Sequence, residues 1–249
     1  LKARLWDDKR HACFDRDKHG KTIDVLCHNT LRCMYWGSIS QEMADAFVRQ
    51  HLLNPQEFWT PLPLPSVAVN DPLFRNAPEN NWSGQCEGLT YQRAIIALER
   101  YGYEPLVTKL GRKLLNAIIR GGDVFTQQFD PFTGEPSRVG MVSHEVLSRD
   151  SDEPFQDSYG PTLLAALEYI AHIWGIALVG DEVWFSLGSG LSYTYAQRFG
   201  DDVYEIKSDG RSGTIYKNRI AVGSAPCGVR LVTNRDGKIL RTVKIEEGV

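Results

Sequence analysis

Apolar residues recur at helical spacing through the middle of the chain. Ser40 precedes Met43 and Phe47, which lie one turn apart, so Ser40 is predicted to cap a helix. The segment 160–176 carries apolar residues around nearly its whole circumference, which predicts a helix buried on most sides. Between them, another one-sided helix is predicted from apolar residues at every fourth position: Leu106, Leu110, Leu114 and Ile118.

The hydrophobic period changes to two from about Val183. Short alternating segments follow, and Asp236-Gly237 stands between two of them as a strong hairpin turn. The pattern therefore predicts a helical portion over residues 1–180 and a small antiparallel β appendage over residues 181–249. The proline-rich connection 58–76 is longer than a compact domain needs, and such loops usually form a binding face.

The composition is that of an ordinary globular protein of 249 residues, with 42% hydrophobic and 24% charged residues. A net charge of −3 with interspersed signs, and no run of about 18 apolar residues, argue against nucleic acid or a membrane as partner. The five cysteines lack zinc spacing, so we expect reduced thiols in a cytoplasmic protein that needs neither metal nor cofactor. For Cys86, packing is favoured over catalysis.

One polar cluster surrounds an aromatic residue just before a predicted helix. In "NNWSGQCEG", Asn81, Gln85 and Glu87 flank Trp82. Sugars offer apolar faces to aromatic rings and hydroxyls to amides and carboxylates, so this chemistry favours a saccharide. The alternative is structural: Glu87 would complement the helix dipole and Trp82 would pack beneath the helix.

A second cluster lies in "VLCHNTLRCMYWGSIS", which brings together His28, Arg32, Tyr35 and Trp36. It is interpreted either as a wall of the same cleft or as a buried histidine with an ion-paired arginine. A third candidate is the loop "VFTQQFDPFTGEP", in which Gln127, Gln128 and Asp130 stand beside aromatic residues and a Thr-Gly turn.

These stretches, in this order, resemble a clan of (α/α)6-barrel glycosidases that includes trehalases, processing α-glucosidase I and mannosylglycerate hydrolases. "LWDDKRHACFDRDKHGK" is similar to the clan's early segment, and "HLLNPQEFWTPLPLPSVAVNDPLF" to a long loop after it. "NNWSGQCEG" is similar to the motif N-Y-W-R-G-P-x-W, and "QQFDPFTGE" to E-x-Y-x-P-x-T-G. The resemblance covers about residues 5–180 and implies a mainly α protein, an α/α toroid.

The sequence departs from that clan at the catalytic base. The clan's water-activating carboxylate opens the E-x-Y motif, where this chain has Gln127, and an amide cannot accept the proton. Ser83, Gln85 and Glu87 also replace motif residues. The toroid is longer than this chain, and the clan's catalytic acid lies before the start of it, so we expect the chain to be the C-terminal half of a longer enzyme.

The resemblance implies a glycoside hydrolase for α-linked oligosaccharides or glycosides, working by inversion on a carbohydrate substrate. An N-terminal half of the barrel is a possible partner. Glu87 or Asp130 would then serve as the base. The residues expected to bind sugar are Trp82, Gln85, Gln127, Gln128, Tyr35, Trp36, Arg32 and Asn81. The alternative is a non-catalytic, carbohydrate-binding relative that has lost the base; a solenoid scaffold would need a repeat that the sequence lacks.

Overall fold

The computed structural model describes residues 4–77, 83–137 and 159–247. The chain divides into two compact units. The first is formed by Leu1–Gly102 and Arg112–Ala166, and the second by Tyr103–Gly111 and Leu167–Val249. The second unit includes Tyr103–Gly111 and begins again at Leu167, so its limits differ from the predicted boundary at residue 180. That boundary stays a prediction.

The first unit combines short helices with two-residue strands. In chain order its elements are β1 (Trp6–Asp7), β2 (Ala12–Cys13), α1 (Asn29–Tyr35), α2 (Gln41–Phe47), β3 (Cys86–Glu87), α3 (Gly88–Glu99), α4 (Glu104–Arg120), β4 (Gln128–Phe129) and α5 (Gly160–Trp174). A π-helical turn, Val48–Leu52, continues α2. Strand β1 pairs with β2, and β3 with β4, both antiparallel. Helices α4 and α5 contribute residues to both units.

Two helices form where the apolar spacing predicts them. The Oγ of Ser40 accepts a hydrogen bond from the backbone N–H of Met43 at 3.3 Å, which confirms Ser40 as the cap of α2. The four apolar residues of α4 that recur every fourth position are all buried. Both signals are local, so they are visible in the sequence.

Helix α5 is less buried than its sequence predicts. Ala165, Tyr169 and Ile173 recur at every fourth position and are fully buried, but Leu164 is 55% exposed and Leu163 is also exposed. The prediction of burial on most sides is therefore wrong. The apolar residues surround the helix, yet one stripe of them makes the packing contacts.

The described residues of the second unit form eight strands. They are β5 (Ile176–Val179), β6 (Glu182–Leu187), β7 (Tyr193–Phe199), β8 (Asp202–Ser208), β9 (Ser212–Lys217), β10 (Ile220–Pro226), β11 (Val229–Asn234) and β12 (Ile239–Lys244). They form two antiparallel four-stranded sheets, with the orders β10-β9-β8-β7 and β12-β11-β6-β5. The β11–β12 hairpin turns through Gly237 at a φ of +91°, which confirms the turn predicted there.

The two sheets share one hydrophobic core. Phe185 and Leu187 of β6 are buried in it together with Tyr204 and Ile206 of β8 and Ile215 of β9. Their positions alternate along each strand, so alternate side chains face the core. This is the core of a folded unit and more than an appendage.

The prediction of a mainly α toroid is wrong. Helices and strands each account for 29% of the described residues, and eight of the strands form two four-stranded sheets. Short alternating segments give a weaker signal in the sequence than long periodic helices, so the extent of the C-terminal sheets was underestimated. In the described residues, no helix is long and apolar enough to cross a membrane.

We expect Ile206→Ala to lower the free energy of unfolding by about 2–5 kcal/mol, because it would leave a cavity in the shared core. Urea unfolding followed by circular dichroism measures the change. The matched control is Ile220→Ala in the same sheet, where the side chain is 72% exposed and the change should stay within about 0.5 kcal/mol. Equal losses at the two positions would contradict the placement of the core.

Candidate functional site

The ladder between β3 and β4 positions two of the residues singled out from the sequence. Glu87 is the backbone partner of Gln128, and the N–H of Gly88 donates to the carbonyl of Gln127 at 3.1 Å. Directly paired residues of antiparallel strands project to the same face, with Cβ atoms about 4.5–5.5 Å apart. The Glu87 carboxyl and the Gln128 amide are therefore neighbours.

Helix α3 begins directly after Glu87, and Gly88 is required there by close packing. A Cβ at Gly88 would lie 1.8 Å from Oγ1 of Thr162, at the start of α5. The same Thr162 hydroxyl donates to the carbonyl of Thr126 at 2.6 Å. The start of α5 thus fixes both the strand that carries Glu87 and the segment that leads into β4.

Glu87 is an almost fully buried carboxyl, with 2% of its surface exposed. Its backbone is extended, as at a helix N-cap, but its side chain does not cap α3. Its Oε1 has no hydrogen-bond partner among the described residues. Burial raises the pKa of Glu87 from its ordinary 4.5 to about 8. The positive charges of Arg32 and Arg93 lower this pKa, but by less than burial raises it. At neutral pH the carboxyl is therefore mostly protonated and uncharged.

Gln128 is fully buried, and its whole side-chain amide lacks partners among the described residues. Neither its Oε1 nor its Nε2 has a hydrogen-bond partner within the part of the chain that the structure describes. A buried polar group without a partner costs about 1–3 kcal/mol, and native proteins keep few of them. A neutral acid and an amide on the same face form a pair that can donate to and accept from a polar ligand.

A groove of about 330 Å³ is lined by Arg32, Tyr35 and Trp36 at the end of α1 and by Arg93 of α3. The rings of Tyr35 and Trp36 meet edge to face at 5.0 Å, and Trp36 is 75% exposed. Both arginines are near enough to Glu87 for their charges to lower its pKa, although Glu87 itself does not line the groove. An exposed ring next to guanidinium donors suits a ligand with hydroxyls and apolar faces.

His28 directly precedes α1, which with its C-cap Trp36 carries three of the groove residues. It is buried, and its Nε2 lies 3.2 Å from Oγ1 of Thr90 on α3. Burial and then the charges of Arg32 and Arg93 lower the pKa of His28 to about 4, so it is neutral at physiological pH. Of the two interpretations of this cluster, the structure gives His28 the buried role and Arg32 the exposed one.

Asp130 is held in a turn. Its Oδ1 accepts from the N–H groups of Phe132 and Thr133 at 2.7 and 2.9 Å, and its Oδ2 accepts from Nδ2 of Asn76 at 2.7 Å. These hydrogen bonds offset burial and lower the pKa of Asp130. This is the turn-forming role of an Asp before proline. Asn76 also accepts from Gln85 Nε2 at 3.1 Å, so Gln85 and Asp130 share one structural network.

The other residues singled out from the sequence differ in where the structure places them. Trp82 and Asn81 fall outside the described residues. Gln127 is half-buried beside the ladder. Cys86 is buried and its Sγ lies 3.2 Å from the carbonyl of Leu62, and burial raises its thiol pKa well above the ordinary value, which favours packing over catalysis.

Two contributors to the site were missed by sequence reasoning. Arg93 lines the groove, and Tyr159 lies close enough to Glu87 for the carboxylate charge to add to the burial that raises its hydroxyl pKa. Arg93 sits within the pattern of α3 like any surface arginine, so the sequence offers no signal for it. In the described ranges, no group of three or more His, Cys, Asp or Glu side chains is placed to hold a metal ion.

The fold has relatives among solved structures. The GH63 mannosylglycerate hydrolase from Thermus thermophilus, solved in complex with glucose, is 22% identical, with a TM-score of 0.50 over 66% of this chain and 36% of its own. Neutral trehalase from Saccharomyces cerevisiae is 14% identical, with a TM-score of 0.52 over 70% of this chain and 28% of its own. A sialidase aligns with all of this chain at 13% identity and a TM-score of 0.63, and 23% of its own chain is covered.

The sequence itself defines the family. The chain belongs to the family of mannosylglycerate hydrolase MGH1-like glycoside hydrolase domains, whose model matches residues 1–150. The resemblance to this clan is thereby confirmed. The chain spans about a third of the length of the mannosylglycerate hydrolase structures it resembles, and the sialidase alignment agrees with the correction of the fold class. No curated protein matches the sequence.

We expect the stability of the protein to fall as pH rises from about 6.5 to 8. In that window folded Glu87 retains a proton that the unfolded chain has released, so the free energy of unfolding decreases, by at most about 1.4 kcal/mol per pH unit for one group. His28, with its lowered pKa, contributes a slope of the opposite sign, which fades above about pH 6.5 as the unfolded chain releases its proton. Urea unfolding at several pH values should show the slope due to Glu87 in the wild type and its loss in Glu87→Gln.

The matched control for this measurement is Glu135→Gln, which removes an exposed carboxyl from the same unit. It should leave the slope unchanged. Identical slopes in the wild type and Glu87→Gln would mean that Glu87 does not carry a proton at neutral pH in the folded protein.

Proposed function

We propose that this chain supplies a sugar-binding and proton-transfer site to a glycoside hydrolase that acts on α-linked oligosaccharides or glycosides by inversion. The observation that carries the proposal is the buried pair of Glu87 and Gln128, a neutral acid beside an amide without partners among the described residues. Membership of the glycoside hydrolase family supports it. A solved relative binds glucose, which is compatible with a hexose ring in the groove.

Glu87 suits the role of general acid. Inverting hydrolysis uses one carboxylic acid to protonate the leaving oxygen and one carboxylate to activate water, roughly 6.5–9.5 Å apart. A carboxyl whose pKa is raised to about 8 holds its proton at neutral pH and can donate it. The base role inferred from the sequence would need the same group ionised, so we propose the acid role in its place.

The second carboxylate would come from outside the described residues. Asp130 is ionised, but each of its oxygens already accepts from the turn or from Asn76, which supports a structural role. Gln127 and Gln128 are amides and cannot take a proton from water. They would bind sugar hydroxyls, while Trp36 would pack against the apolar face of a sugar ring and Arg32 would donate to ring substituents.

The competing function is a carbohydrate-binding relative without catalysis. It is favoured by one observation, the amide Gln127 at the position where the clan places its base. Release of reducing sugar by the full-length protein from a panel of α-linked disaccharides separates the two. Saturable sugar binding without release would support the non-catalytic alternative.

We expect Glu87→Gln in the full-length enzyme to lower kcat by about 10²–10⁴-fold, because the amide keeps the shape of the acid but cannot donate its proton. The wild-type rate should decline above about pH 8 as Glu87 ionises, and the residual rate of the variant should lack that decline. Steady-state kinetics across pH measure both effects.

The comparison variant is Asp130→Ala, which removes the turn hydrogen bonds. It should reduce the unfolding midpoint while kcat, measured well below that midpoint, changes by less than about tenfold. Two results together would reverse the assignment of the two roles. Asp130→Ala would have to lose as much kcat as is expected for Glu87→Gln, and the rates of the wild type and Glu87→Gln would have to depend on pH in the same way.

We expect Trp36→Ala to raise KM by roughly 2- to 10-fold with a smaller change in kcat, because it removes an aromatic contact worth about 0.5–1.5 kcal/mol from the groove wall. Trp36→Phe should restore most of the affinity. Because Trp36 is exposed, neither variant should unfold the protein, and unchanged thermal midpoints check this. An unaltered KM in Trp36→Ala would remove this residue from the site.

A further inference from the structure

A second groove lies in the first unit, between α4 and the loop that follows β4. Its volume is about 210 Å³. One wall is a face of α4 that presents Lys113, Asn116 and Arg120, which are spaced by three and four residues and so lie above one another. The opposite wall includes Phe132 and Thr133 of the loop. None of the residues that line the groove at Arg32 and Arg93 lines this second groove.

The two cations are held in place by backbone carbonyls. Nζ of Lys113 donates to the carbonyl of Pro61 at 2.9 Å, and Nη2 of Arg120 donates to the carbonyl of Thr133 at 2.9 Å. Each hydrogen bond ties a flexible side chain to one wall of the groove. The ordering of these side chains is therefore partly complete before any ligand binds, which lowers the entropic cost of binding.

The groove contains more donors than acceptors. Lys113 carries three N–H groups and Arg120 five, and one of each is used by the carbonyls described above. No carboxylate of the described residues lies within ion-pair distance of either cation. The amide of Asn116 can add two further N–H groups. Two cations and an amide facing one small groove favour an anion with several acceptor oxygens, which is the chemistry of phosphate.

Phe132 adds an apolar surface to the same groove. Its side chain is 47% exposed, and its ring meets Phe74 edge to face at 6.0 Å, which restrains its orientation. A free aromatic face beside an anion site suits a sugar ring that carries the anion. We propose that this groove binds a phosphorylated sugar, with its phosphate between Lys113 and Arg120 and its ring against Phe132.

The test is isothermal titration calorimetry of the full chain with a hexose 6-phosphate, inorganic phosphate and the unphosphorylated hexose. We expect the hexose phosphate to bind more tightly than inorganic phosphate. Arg120→Gln and Lys113→Met should each weaken the binding of both phosphate ligands by roughly 10- to 100-fold, because each removes hydrogen bonds from a charged donor. Phe132→Ala should weaken hexose phosphate binding and leave the binding of inorganic phosphate unchanged.

The matched control is Lys109→Met on the same helix, where the lysine pairs with Glu247 and does not line the groove. It removes the same charge and should leave both affinities unchanged. Circular dichroism checks that the variants are folded; should Arg120→Gln fail this check, Asn116→Leu, at an exposed position of the same face, takes its place. Phosphate binding that is absent, or that is unaffected by every groove variant, would overturn the proposal.

Discussion

The two-residue ladder between β3 and β4 is the contact on which the candidate site depends. It is extended on both sides by single backbone bridges, from Cys86 to Pro65 and from Phe129 to Pro136. Four separate segments of the chain are thereby fixed side by side, although each is too short to be a stable strand alone. Because side chains alternate along these segments, the ladder directs Glu87 and Gln128 to one face and leaves Cys86 and Phe129 packed in the core.

The electrostatics of the site follow from that placement. Burial makes the charged form of Glu87 costly, and the nearby arginines offset only part of the cost, so the proton stays on the carboxyl at neutral pH. Burial also disfavours the charged form of His28, which for a histidine means that the pKa falls and the proton is lost. The positive charges of Arg32 and Arg93 lower this pKa further. Both titratable groups are therefore neutral, and Arg32 and Arg93 supply the charge of the groove. A protonated carboxyl can donate a proton, whereas it cannot accept one from water.

Sequence reasoning succeeded where the determining interactions are local. Ser40 caps α2 through a residue three positions away, and the Asp236-Gly237 turn is defined within its own hairpin. It failed where the outcome depends on distant partners. The leucines of α5 have the composition of a buried helix, but which of them are covered depends on what packs against α5. The neighbour of Glu87 likewise became visible only through a ladder that joins residues more than 40 positions apart.

The same distinction separates the two candidate acids. Asp130 precedes a proline, and that local context already indicated the turn in which it lies. Nothing in the neighbouring sequence indicated that Glu87 would be buried, or that one arginine from α1 and another from α3 would lie near enough to lower its pKa. The family motif therefore singled out Glu87 as a candidate, while its protonation state required the three-dimensional arrangement.

The contact between Gly88 and Thr162 limits how this site can diversify. A Cβ at position 88 would approach not only the Thr162 hydroxyl but also its Cα, at 2.8 Å, so a smaller residue at position 162 would not make room for it. No residue larger than glycine fits at position 88 unless the start of α5 moves. Variants of this chain can therefore change the residues around the glycine, such as Gln128 or Arg32, more readily than the glycine itself.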